Sequence, residues 1–275
     1  MKESILITGC SSGIGYYCAK HLHEAGYQVI ASCRKNSDVE RLTSEGLYCV
    51  QLDVTDKESI QSALMSVLER TGGTLDVLFN NAGYGQTGAL EDLPTMALRE
   101  QFETNLFGLH ELTRAVIPLM LKQGNGKIVQ NSSVLGLVAM KYRGAYNASK
   151  FALEGYTDTL RLELMDTNIS VSLIEPGPIV SEFRSNALKA FQANIDMHSS
   201  RHRSNYQKTI DRLSRETSAN RFTLPPEAVM TSLQAILMTE SPNARYYVTQ
   251  QTFIAGFLRR VLSSKLLDKI LSKSE

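Results

Sequence analysis

Long apolar runs are missing from this chain. None of its 275 residues lies in a stretch approaching the ~20 apolar residues that a membrane-spanning helix needs, so no bilayer span is expected. An excess of one charge is missing too. Lys and Arg number 29 against 28 Asp and Glu, a net +1, which argues against a nucleic-acid partner. Cysteine is scarce: Cys10, Cys18, Cys33 and Cys49 all fall in the first fifth and form no C-x-x-C pair. That spacing suits reduced thiols in a cytoplasmic setting better than disulfides or zinc. His198 and His202 stand four residues apart with no acidic or cysteine ligand set beside them, so no metal is expected. The first apolar run is too short for an export leader and passes directly into a glycine-rich turn. Internal repeats and low-complexity linkers are also absent.

What is present is an alternation of strand and helix patterns in a chain that is 43% hydrophobic, enough for one large core. Strands are expected over 4–8, 28–33, 47–52, 77–80, 127–132 and 170–175. Helices are expected over 14–25, 38–45, 57–70, 95–122 and 143–166. Such alternation implies an α/β protein, a Rossmann-like doubly wound parallel sheet in a single domain over 1–275. Ligands of such sheets bind beyond the carboxyl ends of the strands.

Two groups of residues suggest chemistry. Tyr146 and Lys150 are one helical turn apart and share a face. A free phenol ionises near pH ~10, and a fixed cation nearby favours the phenolate. The pair then makes a proton donor and acceptor near neutral pH, although Tyr-x-x-x-Lys alone also fits an amphipathic helix face. Ser133, at the end of an expected strand, adds a hydroxyl able to steady a carbonyl or alcohol oxygen. The second group is Thr8-Gly9-Cys10-Ser11-Ser12-Gly13-Ile14-Gly15, between the first expected strand and helix. Glycines there let backbone approach a pyrophosphate at a helix N-terminus. Glycines in a tight turn are the plainer alternative.

Together with Asn80-Asn81-Ala82-Gly83, Asn105 and Pro176-Gly177, these motifs stand in the order and spacing of the short-chain dehydrogenase/reductase family, which the chain resembles from residue 4 to about 181. It is most similar to the branch of retinol and 17β-hydroxysteroid dehydrogenases and related bacterial aldehyde reductases. The resemblance implies reversible hydride transfer between a nicotinamide and a carbonyl or alcohol carbon. It implies Tyr146 as proton donor, Ser133 on the substrate oxygen, Lys150 on the nicotinamide ribose, and Asn105 holding a water that links Lys150 to solvent. Cofactor contacts are implied for Gly9, Ser11, Ser12, Gly13, Ile14, Gly15, Tyr146, Lys150, Pro176 and Gly177. Asp53 would meet the adenine amino group, Asn81, Ala82 and Gly83 the adenosine ribose, and Ile179 the nicotinamide. Ser181 stands where the family usually has threonine near the carboxamide.

The end of the second strand selects the cofactor. Cys33 occupies the place of the acid that in NAD-preferring folds binds the ribose 2′-hydroxyl. Arg34 follows, and a guanidinium matches a 2′-phosphate. NADP(H) is therefore the expected cofactor. Leu135, Val138, Ala139, Met140 and Tyr142, between Ser133 and Tyr146, are expected to line the pocket with hydrocarbon. An apolar aldehyde or ketone is the expected substrate, reduced in the cell because NADP(H) is kept largely reduced there. The alternatives are a retinol or hydroxysteroid dehydrogenase and, from another class, an NADPH-binding sensor without turnover.

Two segments break the alternation. Residues 181–222 are polar, with Arg184, Arg212 and Arg215 interspersed with Phe183, Phe191, Ile195 and Tyr206. They are expected to form a helical lid over the substrate. Residues 253–275 are expected to form one amphipathic helix, with Ile254, Leu258, Leu262, Leu266 and Ile270 on its apolar stripe and basic residues beside it. Docking on the protein is favoured over peripheral contact with an anionic membrane. By resemblance, pairing through the helices 95–122 and 143–166 would make a homo-oligomer.

Overall fold

Seven parallel strands form one sheet in the computed structural model, which describes residues 3–215 and 222–273. Residues 216–221 of the expected lid and the last two residues of the expected C-terminal helix lie outside that description. The strands are β1 (Ser4–Ile7), β2 (Gln28–Cys33), β3 (Tyr48–Gln51), β4 (Val77–Asn80), β5 (Gly126–Asn131), β6 (Ile169–Glu175) and β7 (Arg245–Tyr247). Their order is β3-β2-β1-β4-β5-β6-β7. The order reverses direction between β1 and β4, which is where such sheets open a ligand crevice.

The helices alternate with the strands: α1 (Gly13–Glu24), α2 (Asn36–Ser44), α3 (Lys57–Thr71), α4 (Thr95–Phe102), α5 (Gly108–Gln123) and α6 (Gly144–Glu163). Period-2 alternation in the strands divides the core. Ile5, Ile7, Val29 and Ala31 face one side, against Ala19 and Leu22 of α1 and Leu42 of α2. Leu6, Ile30, Leu78 and Ile128 face the other, against Leu64 and Val67 of α3 and Leu112 and Val116 of α5. Each fully buried side chain of this size contributes about 1.5–3 kcal/mol, so both faces must be covered. Asp56 starts α3 as its N-cap, accepting from the Glu58 and Ser59 amides.

Four features differ from the sequence expectations. The long helix over 95–122 is divided into α4, a π-helical turn at Glu103–Phe107 and α5. π-bulges concentrate at functional sites, and this one contains Asn105. The strand β7 was not expected, because Arg245–Tyr247 is short and begins with a charge. Residues between β6 and β7 supply α7 (Phe183–Asn194), α8 (Arg203–Leu213) and α9 (Glu227–Leu237). Phe191, Ile195 and Tyr206 of α7–α8 make a small core of their own with Ala89.

The fourth difference is at the C-terminus, which is two helices, α10 (Gln250–Val261) and α11 (Ser264–Leu271). Leu262 is extended (ψ 146°) and Ser263 stands at the next N-cap. The break rephases the stripe. Leu267 and Leu271 turn inward beside Ala255, Leu258, Leu262 and Val138. Leu266 and Ile270, on the expected stripe, are exposed. Among the described residues no helix is long and apolar enough to cross a membrane.

Candidate active site

The glycine-rich turn is shaped by what it cannot accommodate. Gly9 and Gly13 have φ of 72° and 58°, the left-handed region that glycine enters without steric cost. A Cβ on Gly9 would sit 2.8 Å from the Ala82 Cα, and one on Gly13 the same distance from the Ser181 Cβ. Gly15 has backbone of Gly9 against it, with no room for a side chain. Ser12 at the N-cap of α1 makes no side-chain cap, and the first turn carries no acid. The N–H groups of that turn are therefore left to an external acceptor, with the helix dipole behind them. Such a cradle fits the pyrophosphate of a dinucleotide.

Hydrogen bonds tie the ends of three strands together. Thr8 Oγ1 accepts from the amides of Asn81 and Ala82 at 2.9 Å each. The Asn81 side chain donates to the Thr8 carbonyl at 2.9 Å and accepts from Asn131 Nδ2 at 2.8 Å. Gly83 passes close to Asn105, whose Oδ1 would lie 3.1 Å from an added Cβ.

At the adenosine end, Cys33 is buried and Arg34 is exposed. Gln51 fixes the strand end by donating to the Arg34 carbonyl at 3.1 Å. Arg41 of α2, which the sequence reading missed, donates to the Ser11 carbonyl at 2.6 Å. It also pairs with Asp38 at 3.3 Å and Glu45 at 3.0 Å. The nearby acid Asp38 is thus already matched by a guanidinium. Asp53 holds a turn, its Oδ1 accepting from the Thr55 amide and hydroxyl at 2.9 and 2.8 Å.

Ser133, Tyr146 and Lys150 meet beyond β5. Ser133 caps a 3-10 turn at Val134–Gly136 by accepting from the Leu135 amide at 3.1 Å. Its hydroxyl is close enough to the Tyr146 phenol to favour the phenolate. Lys150 Nζ donates to the Asn131 carbonyl at 2.7 Å and lies 5.7 Å from the Tyr146 ring centroid. The electrostatics differ from the sequence expectation. Burial pushes the Tyr146 phenol up to about 12, against the lowering effects of the Ser133 hydroxyl and the Arg143 charge. Lys150 is brought down to about 8 by burial, partly offset by Glu154. Lys150 thus stands beside the phenol ring with one of its three N–H donors engaged by Asn131.

Arg143 was not anticipated from the sequence, where nothing local marks it. It precedes α6 and reaches Tyr146 electrostatically; burial and the charges of Arg212 and Arg184 bring it down to about 10. Asn105 is buried, with its amide engaged: Oδ1 accepts from the Tyr84 amide at 3.2 Å, and Nδ2 donates to the Tyr84 carbonyl and Ser149 Oγ at 3.0 and 3.1 Å. Both of its N–H donors are used, so its side chain holds the π turn against α6 rather than offering donors to a water.

The expected hydrocarbon lining is only partly a lining. Val138 packs with the C-terminal helices. Tyr142, which has φ of 60°, packs edge to face on His202, at the N-cap of α8, and on Tyr206 of α8, and accepts from Asn205 at 2.8 Å. Phe183, at the start of α7, instead faces the site: its ring centroid is 5.2 Å from that of Tyr146, edge to face. Ser181 packs on Gly13, and Ile179 bridges to Leu224. The Pro176 carbonyl accepts from the Val134 amide at 2.8 Å, and Gly177 lies against the Thr249 side chain.

Comparison with known proteins agrees with this geometry. The profile described as short chain dehydrogenase matches residues 3–191. The uncharacterized oxidoreductase YbbO of Escherichia coli K12 is 42% identical over 271 residues, covering 98% of this chain and 94% of that protein. Human retinol dehydrogenase 8 is 42% identical over 196 residues, 68% of this chain and 62% of that protein. Among solved structures, a short chain dehydrogenase/reductase from Burkholderia phymatum in complex with NAD superposes with a TM-score of 0.78 at 25% identity, covering 98% and 95% of the two chains. A closed serine dehydrogenase complexed with NADP+ gives 0.76 at 25% identity, covering 90% and 95%.

Proposed function

Because the chain belongs to the short-chain dehydrogenase/reductase family, we propose that it is an NADP(H)-dependent reductase of apolar aldehydes or ketones. The carrying observation is the junction of Ser133, Tyr146 and Lys150 beside the uncapped, glycine-lined start of α1. When bound, the nicotinamide supplies the hydride that converts the carbonyl carbon to an alkoxide carbon. Ser133 then holds the oxygen, and Tyr146 gives it the phenolic proton. A phenol held near 12 is protonated throughout the neutral range, the form that reduction requires. Lys150, still mostly charged at neutral pH with a value near 8, orients the ribose hydroxyls and keeps the local field positive.

Preference for NADP(H) is supported by Arg34 at the exposed end of β2 and by Asp38 being paired to Arg41. Phe183 over Tyr146 supports a hydrocarbon substrate and a covering role for the start of α7. The likeness to retinol dehydrogenase 8 favours a second reading, oxidation or reduction of a retinoid or steroid. A screen following NADPH absorbance against alkanals, retinal and oxosteroids separates the two. Turnover with short alkanals and none with retinal or steroids would exclude the second reading. NADPH binding without turnover on any carbonyl would sink the reductase assignment.

A further inference from the structure

Behind Lys150 lies a buried acidic group that the proposed chemistry does not use. Glu154 is one turn past Lys150 on α6, on the same face. Its Oε1 accepts from Ser132 Oγ at 2.5 Å and its Oε2 from Arg245 Nη2 at 3.2 Å. Gly136 leaves room for it: a Cβ there would lie 2.9 Å from the Glu154 Cγ. Glu175, the last residue of β6, is fully buried, and its oxygens have Arg245 Nε at 3.3 Å but no hydrogen bond from a donor. Arg245 of β7 also pairs with the half-exposed Asp158 at 2.8 Å, which Arg161 shares.

The charges facing this group are therefore Lys150, Glu154 and Asp158 from α6, Glu175 from β6 and Arg245 from β7, with the Ser132 hydroxyl from the end of β5. Arg161 shares Asp158 and Lys150 faces Glu154, so the carboxylate with the poorest contacts is Glu175. A buried carboxylate without donors is costly, and holding a proton removes the cost. Glu175 has only the Arg245 Nε ion pair, whereas Glu154, itself raised by burial, accepts two hydrogen bonds. Burial and the neighbouring Glu154 push Glu175 well above the usual carboxylate range. Protonated, Glu175 becomes a donor toward Glu154.

We infer that Glu154 is a positioning residue, whose carboxylate keeps Lys150 charged and anchors the Ser132–Ser133 corner, and that Glu175 is its neutral, proton-holding partner. The role rests on the reductase reading only in its consequence for turnover. Glu154 is the charge that supports Lys150 against the effect of burial. Ser132 is fixed from two sides, by Glu154 and by its own amide donating to the Ile174 carbonyl at 2.8 Å. Ser133 follows it directly.

The test titrates Lys150 in the unliganded full-length protein, by 13C NMR of lysine labelled at Cε, with the resonance assigned by its loss in Lys150→Met. Glu154→Gln should lower the Lys150 midpoint by about one pH unit or more. Glu175→Gln, which replaces a neutral acid with a neutral amide, should leave it in place. The alkaline limb of NADPH-dependent turnover should move with the midpoint in each variant. If Glu154→Gln does not fold, Glu154→Asp withdraws the charge by one methylene and should give a smaller shift in the same direction. An unmoved Lys150 in the Glu154 variants overturns the inference, as does a Glu175→Gln shift equal to that of Glu154→Gln. Since the resonance needs neither cofactor nor substrate, a protein without turnover would remove the reductase reading and still leave this result standing.

Discussion

Tyr146 is held protonated by burial and relieved by Ser133 and Arg143, so deleting its hydroxyl tests the proton step with little change in packing. Tyr146→Phe should lose most turnover, at least ~100-fold, with NADPH affinity nearly unchanged; near-normal turnover would remove Tyr146 as the acid. The Lys150 value near 8 sets a second expectation. Its burial lowers the folded value below the unfolded one, so the charge that serves the site is present below about 8 and is lost above it. Reduction should therefore decline as pH rises through about 8, read as the alkaline limb of kcat/KM. Arg34→Ala should weaken NADP(H) far more than NAD(H), by about one to two decades for a charge-assisted bond of ~1.5–3 kcal/mol. Equal affinity of the unmutated protein for both would contradict this. Thr8 was legible only as part of a motif, yet Thr8→Val would leave the Asn81 and Ala82 amides without their acceptor. At ~1–3 kcal/mol for each unsatisfied group, melting should fall by several degrees. Arg41 and Arg143 escaped sequence reading for one reason: each matters through a neighbour distant in the chain or through burial, and neither leaves a local pattern.

Helix and strand identities were legible where a periodic apolar pattern ran between turn signals, as in α1, α3, α6 and β1 to β6. The π turn was not, because Glu103–Phe107 continues the helical pattern on either side and only the buried Asn105 betrays it. The C-terminal stripe misled in a specific way. A repeat of four residues runs through Leu262, but Ser263 and Ser264 offer a new helix start, and the inward face moves to Leu267 and Leu271. Truncation after Thr252 should strip the cover from Val138 and Val134 and lower the melting temperature, since Leu267 and its neighbours contribute about 1.5–3 kcal/mol each. Phe253, Ile254, Phe257 and Val261 of α10 remain exposed. Salt-sensitive co-sedimentation with anionic vesicles, with melting unchanged by truncation, would transfer this segment to the membrane instead.

For the whole molecule, strand alternation disclosed the sheet, while the group that neutralises its interior did not show: Glu154, Glu175 and Arg245 are brought together from three elements. That group has a measurable consequence. Glu175 has a raised value in the folded protein, so its contribution is full below the unfolded value of about 4.3 and is lost as pH climbs toward the folded one. The stability gained by Glu175→Gln over the unmutated protein should accordingly grow with pH through the neutral range, by at most about 1.4 kcal/mol per pH unit, in denaturant titrations. A pH-independent difference would mean that Glu175 is ionised. The strand order has a further consequence, for synthesis. From β1 the chain adds β2 and β3 outward on one edge, then β4, β5, β6 and β7 outward on the other, and no strand has to be inserted between two already paired. A nascent chain emerging at ~5–20 residues per second can therefore assemble its sheet in the order of translation. Arg245 belongs to the strand that closes this series, so during elongation the two buried glutamates wait for their counter-ion until the other six strands have been made.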